Sequence, residues 1–274
     1  MIDSNFAAAV ARDAAPDSHT LILEIGPGTG YLTQALLDAH PNARVLAIEL
    51  DRGLAALLRE TLADPIRQQR LTLLEGDALA GKHRLAAELV DAARAISTEE
   101  NRPRRVLCAN LPYNAATPVL ANMAADADGL GMSSAVATIQ LELASRFFAK
   151  PGESAYGALS VLMALRASGK ILRRIGNQVF WPRPQVDSAV IGLEFRPWMD
   201  GNGRGQTLMR REECPGFQQF LQTLFSQRRK MLRAVIKPAT VPETLQIAPN
   251  ARAEDLPPET LLALFRLLAD NGQK

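Results

Sequence analysis

Four consecutive residues, Asn110-Leu111-Pro112-Tyr113, close an apolar run that reads "RRVLCAN" (104–110). A chain that needed only a turn would use Gly or Asp there. An amide, a carbonyl held by a proline and a flat ring instead make a small chemical kit. The Asn110 side-chain oxygen and the Leu111 carbonyl are two acceptors for the N–H groups of an amine. Tyr113 can stack on a planar base. The exocyclic amine of adenine fits, because its lone pair is delocalised into the ring and is a poor nucleophile. Two acceptors on its N–H groups favour a tetrahedral nitrogen with the lone pair aimed at a methyl donor. Such catalysis works by positioning and fixed dipoles, without a strong base at the outset. It requires a base drawn out of any stack. In isolation the same residues also describe a strand-ending turn with a core tyrosine.

The methyl donor is read from three earlier strand ends. The first ends in "LEIGPGTGY" (23–31). A dinucleotide fingerprint starting at Gly26 and Gly28 needs a third Gly at 31, where Tyr31 stands. Pro27 has no N–H to offer a pyrophosphate. Glu24 precedes the loop. About 20 residues on, the second strand ends at Glu49, where a carboxylate accepts from ribose hydroxyls. The third ends in "EGDA", placing Asp77 and Ala78 at the next edge, where a carboxylate can accept from an adenine amino group. Taken singly, Glu49 is equally a helix-start acid and Asp77 a cap. As a series with Asn110 they mark the edge where open α/β sheets bind ligands. Carboxylates without phosphate-binding features suit S-adenosylmethionine, a cationic nucleoside, better than a nicotinamide dinucleotide.

These residues need a parallel sheet, and the hydrophobic pattern supplies one. Apolar strand-like runs at 20–25, 44–50, 70–76, 104–110 and 133–141 alternate with amphipathic runs at 31–39, 53–63, 83–96 and 117–125. Continuous apolar strands between such helices indicate a sheet covered on both faces. A helix is predicted over 157–169. Strands at 170–175 and 187–195 suggest an antiparallel hairpin or edge at the sheet margin. The stretch 196–206 reads as a linker, and 216–236 and 256–271 read as helices, the latter starting at Pro257 and Pro258. The expected architecture is an α/β, Rossmann-like class I methyltransferase sheet over residues 1–200, with a small all-helical domain over 201–274.

Bulk composition excludes several classes. The 274 residues are 47% apolar and 22% charged, ordinary for a globular chain, and the formal charge is only +2. No apolar stretch approaches the roughly 20 residues of a membrane span, and the N-terminus lacks a signal-peptide pattern. Two cysteines fit a reducing cytoplasm. The three histidines lack metal-ligand spacing, so no metal is expected. Charge is unevenly placed, however. From Arg196 to Lys237 nine basic residues face three acidic ones. If 216–236 is one helix, Arg229 and Arg233 share a face suited to an RNA backbone, with Arg228 and Lys230 beside them. A solvated helix face is the plainer reading of such a run.

"EIGPGTG", "IELDR", "GDA" and "NLPYN..TP" resemble the KsgA group, the ribosomal RNA small-subunit adenine N6-dimethyltransferases. Three later segments, "KPGESAYGALSVL" (150–162), "VFWPRPQVDSAVIGL" (179–193) and "FSQRRKMLR" (225–233), are similar to that family in the same order. The resemblance covers nearly the whole chain. It implies dimethylation of N6 on two adjacent adenines in the 3′-terminal hairpin of 16S rRNA, within the immature 30S subunit. It implies a monomeric enzyme, with Phe180 stacking on the base opposite Tyr113. Trp181 is a second aromatic candidate. The family's Gly-Gln-Asn-Phe-Leu segment does not precede "MIDSNFAAAV", which predicts weaker cofactor binding. The stretch 80–105 is longer than the family pattern and is expected to be a surface insertion. Three alternatives stand beside this reading. A large-subunit rRNA adenine methyltransferase usually has Ile at position 111 and lacks "QRRK". A non-catalytic ribosome assembly factor would not need Glu49, Asp77, Asn110 and Tyr113. A DNA adenine methyltransferase more often has Asp at 110.

Overall fold

Strand-forming runs of Val, Ile and Leu at the predicted places pair into one seven-stranded sheet, ordered β3-β2-β1-β4-β5-β7-β6. The computed structural model describes residues 3–14, 20–81, 84–96, 104–126, 128–180, 185–198, 208–236 and 245–272. Its strands are β1 (Leu21–Ile25), β2 (Arg44–Glu49), β3 (Leu71–Glu75), β4 (Arg105–Asn110), β5 (Ser134–Gln140), β6 (Ala167–Ile175) and β7 (Ser188–Phe195). Helices α1 (Ser4–Asp13), α2 (Tyr31–Ala39), α3 (Arg52–Thr61), α4 (Ala63–Arg67), α5 (Ala87–Ala95), α6 (Tyr113–Ala125), α7 (Leu141–Phe148) and α8 (Ala158–Arg166) precede or separate them. After β7 come α9 (Cys214–Ser226), α10 (Leu232–Val235) and α11 (Pro258–Gly272).

The first five strands are parallel, and all but the half-buried edge strand β3 are buried apolar runs. The order runs outward from β1 to β3, then resumes on the other side at β4. The sheet therefore reverses between β1 and β4, where the glycine loop and the Asn110 turn both emerge. Such switch points are where open α/β sheets leave a crevice for ligand. The two late strands lie side by side at the sheet margin, as expected, with their order reversed relative to the chain. β7 inserts between β5 and β6 and runs antiparallel to β5, with Ser188 opposite Gln140 and Glu194 opposite Ser134. β6 is the edge. A Cβ on Gly169 would stand 2.2 Å from the Gly192 carbonyl oxygen, so the β6–β7 approach depends on glycine.

Several boundaries differ from the sequence expectation. α6 begins at Tyr113 rather than Thr117, because Pro118 is accommodated inside it. As the sixth residue of the helix it lacks the N–H that would bond to the Asn114 carbonyl. α7 follows β5 with no intervening turn residue, which hid it in an apolar run. The 80–105 stretch is not merely a surface insertion: α5 buries Leu89, Val90 and Ala93 as the crossover between β3 and β4. The predicted helix 216–236 stops at Ser226. Lys230 N–H bonds to Gln227 O at 2.8 Å, forming a turn, and Met231 then bridges antiparallel to Arg252. Arg229 and Arg233 thus do not share a helix face.

By contacts the chain divides into two compact units: Met1–Ala144 with Gly169–Phe195, and Ser145–Ser168 with Arg196–Lys274. A cut at residue 200 therefore misses the excursion at 145–168. The excursion carries α8, which packs on α9 and α11. Phe217, Phe220 and Phe265 cluster in this second unit with ring centroids 5.5–6.2 Å apart. Tyr156, fully buried, donates its hydroxyl to Leu256 O at 2.8 Å.

Candidate active site

The loop after β1 is built by backbone bonds and a carboxylate. Gly26 N–H reaches Ile48 O at 2.9 Å, and Gly30 N–H reaches Pro27 O at 3.0 Å. Glu49, only 6% exposed, accepts from Gly28 N–H at 2.8 Å and Asp51 N–H at 2.9 Å, one bond on each oxygen. It locks the glycine loop to the end of β2, and each oxygen keeps a lone pair for a ribose hydroxyl. Nothing lies within 4 Å of a Cβ built on Gly28, so the loop is open there to a close ligand.

Glu24 sits one layer deeper. It is 1% exposed, and its Oε2 has no hydrogen-bond partner among the described residues. Burial raises its pKa to about 8, the nearby Thr33 hydroxyl opposes this, and the Glu49 carboxylate adds to it. A cavity of about 70 Å³ opens beside it, lined by the 26–29 loop, Glu24, Tyr31, Leu32 and Asn110. An orphaned buried carboxyl oxygen at a cleft calls for a cationic or hydrogen-donating ligand. S-adenosylmethionine, carrying a sulfonium and an ammonium, fits this donor set. Asp77 is exposed, and its Oδ1 accepts from Leu79 N–H at 2.9 Å. Ala78 beside it is buried, with its carbonyl taken by Ala86 N–H at 2.9 Å.

The Asn110 turn comes up against the glycine loop. A Cβ on Gly26 would lie 3.4 Å from Pro112 Cγ. Leu111 is buried, and its N–H reaches Thr138 O at 3.2 Å. Pro112 caps α6, its carbonyl accepting from Ala115 and Ala116 N–H at 2.9 and 3.0 Å. Tyr113, 38% exposed, places its hydroxyl 3.1 Å from Ser188 Oγ. Phe180 is half-buried, packed on the sheet core and edge-on to Phe6 at a centroid distance of 6.2 Å. Trp181 lies outside the described residues. Glycine loop, Glu24, Glu49 and Asn110 are thus gathered at one edge. Two features escaped the sequence reading. Leu50, directly after Glu49, is an apolar side chain 67% exposed at the end of β2. Ser188 was legible only as part of the 187–195 strand.

The basic segment divides by partner. Arg228 turns inward, its Nε on Glu254 Oε2 and its Nη2 3.2 Å from Glu153 O. It ties three parts of the second unit together. Arg229, Lys230 and Arg233 are exposed. Among the described residues no group of His, Cys, Asp and Glu side chains could hold a metal ion, and no helix is long and apolar enough to cross a membrane.

A sheet in this order, with its glycine loop and acidic strand ends at the reversal, defines the α/β methyltransferase fold. A crystal structure of a dimethyladenosine transferase from Plasmodium falciparum shares it at a TM-score of 0.71 and 22% identity, covering 99% of this chain and 98% of that one. The 23S rRNA methyltransferase ErmE shares it at 0.65 and 21%, covering 97% and 98%. The family model described as Ribosomal RNA adenine dimethylase matches residues 1–270. The Ribosomal RNA small subunit methyltransferase A of Leifsonia xyli is 34% identical over 98% of this chain and 89% of its own. That of Rhodospirillum rubrum is 36% identical over 99% and 86%. The chain belongs to the ribosomal RNA adenine dimethylase family.

Proposed function

We propose that this protein transfers methyl groups from S-adenosylmethionine to adenine N6 in small-subunit ribosomal RNA. The full reading is two methyls on each of two adjacent adenines in the 3′-terminal hairpin of 16S rRNA, added during 30S maturation by a monomer in the cytoplasm. The observation that carries it is the meeting of the glycine loop and the 110–113 turn at one sheet reversal, with Glu24 and Asn110 lining one cavity.

When bound, S-adenosylmethionine supplies an electrophilic methyl group. Gly26 and Gly28 allow its close approach, Glu24 faces its charged portion, Glu49 accepts from the ribose, and Asp77 and Ala78 meet the adenine. Asn110 Oδ1 and the Leu111 carbonyl accept the target amine's N–H groups, while Tyr113 and Phe180 cover the faces of the flipped base. The amine becomes acidic only once methylated, so its proton leaves without a strong base among these residues. Arg229, Lys230 and Arg233 meet RNA phosphates, and Arg228 orders the loop that presents them. The first compact unit is the catalytic one and the second the RNA-binding one.

The test is transfer of label from S-adenosylmethionine to immature 30S particles lacking the modification, beside 50S particles and duplex DNA. Label is expected in 16S rRNA alone. Its absence there, with active cofactor binding demonstrated, would defeat the reading. Asn110→Ala is expected to lower transfer by about 10²–10³-fold, the loss of one fixed dipole at the reacting atom, while RNA binding persists.

A further inference from the structure

We propose that Ser188 is a positioning residue for methyl transfer: its buried hydroxyl pins the far end of the Tyr113 side chain and so fixes the place of the ring on which the target adenine stacks. The inference rests on the reading of Tyr113 as the stacking residue. Tyr113 is the first residue of α6, so no preceding helical turn restrains its side chain. More than a third of it is exposed, and two side-chain torsions place the ring. The polar tie at its far end is the 3.1 Å contact between its hydroxyl and Ser188 Oγ.

Ser188 is a rigid anchor. It is 0% exposed and opens β7, whose ladder with β5 runs without interruption from Ser188–Gln140 to Glu194–Ser134. The preceding carbonyl, of Asp187, accepts from Leu141 N–H at 2.9 Å, so the peptide leading into Ser188 is held as well. The phenol oxygen lies on the Cβ–Cζ axis, so a bond to it holds the direction of that axis, while rotation of the ring about it is left to packing. Ser188 is fully buried, so the same bond also satisfies its hydroxyl. It also couples the start of α6 to a strand two places away from β4 in the sheet, so the place of the ring is set by the sheet and not by the turn alone.

The experiment compares Ser188→Ala, Tyr113→Phe, the double variant and Ser188→Thr in the full chain. Single-turnover transfer to immature 30S particles is measured beside cofactor affinity and thermal unfolding. Ser188→Ala and Tyr113→Phe are each expected to slow transfer about fivefold, the scale of one neutral hydrogen bond. The double variant is expected to be no slower than either, because both remove the same bond, and threonine restores the rate. Cofactor affinity is expected to stay unchanged. An unaltered rate in Ser188→Ala, additive losses in the double variant, or a loss that tracks lowered thermal stability and weakened cofactor binding overturns the proposal. Tyr113→Ala separates the two levels. Full activity there removes the stacking role itself, whereas a dead Tyr113→Ala with a silent Ser188→Ala removes only the anchor.

Discussion

Glu24 holds a proton in the ligand-free protein at neutral pH, since burial lifts its pKa from about 4.5 to about 8. The folded state then binds a proton that the unfolded state has released across that window. Stability is expected to decline as pH rises from 4.5 towards 8, and Glu24→Gln is expected to remove most of the slope. A cationic ligand favours the ionised form, so its binding releases the proton and its affinity rises with pH up to about 8. Denaturant unfolding with and without S-adenosylhomocysteine, which keeps the ammonium, measures both; a pH-independent affinity in the wild type counts against it. The sequence placed Glu24 beside the loop correctly, but its protonation depends on burial and on Glu49 across the sheet, which no local pattern encodes. Arg228 shows the same limit. Composition counts its charge, while its partners Glu254 and Glu153 are 26 and 75 positions away.

Single elements carry two further expectations. Gly30 begins α2 at φ +85°, and a Cβ there would lie 2.7 Å from Leu58 Cδ2. Gly30→Ala is expected to cost about 1–3 kcal/mol, read as a lower urea midpoint at unchanged slope. An unchanged midpoint would mean the loop tolerates a side chain. In the 227–231 turn, Arg228→Ala is expected to destabilise the protein by about 1 kcal/mol, since the ion pair is partly exposed. Arg229→Ala and Lys230→Ala are expected to leave unfolding alone and to reduce the salt slope of RNA binding by about one each. Equal melting losses from all three would erase the distinction. The turn was not legible because "FSQRRKMLR" has good helix propensity throughout. What ends α9 is the tertiary bridge from Met231 to Arg252. Conversely, Tyr113 was read as part of a strand-ending turn and opens α6, because the helix accommodates Pro118 in its interior.

At the scale of the whole chain, the parallel half was legible because β1, β2, β4 and β5 are buried on both faces and write continuous apolar runs, with β3 half-buried at the edge. The insertion of β7 between β5 and β6 was not, since strand order at a margin is set by long-range pairing. The division of units escaped for the same reason. Residues 145–168 lie within the first 200 yet cluster with the helical unit, where Val161, Leu162 and Leu165 of α8 are buried. A fragment ending at residue 200 is expected to lack the partners of that face. It should aggregate or bind a hydrophobic dye, with a lower melting temperature than the full chain. A monodisperse fragment with the native melting temperature would show that α8 needs neither α9 nor α11. The same interruption has a consequence in time. Chains emerge from synthesis at about 5–20 residues per second, and about 100 residues separate α8 from α11. For roughly 5–20 s, then, a nascent chain can close its sheet through β7 while α8 still lacks its last partner. The surface proposed to grip RNA is finished only once α11 has been made, after the cofactor edge already exists.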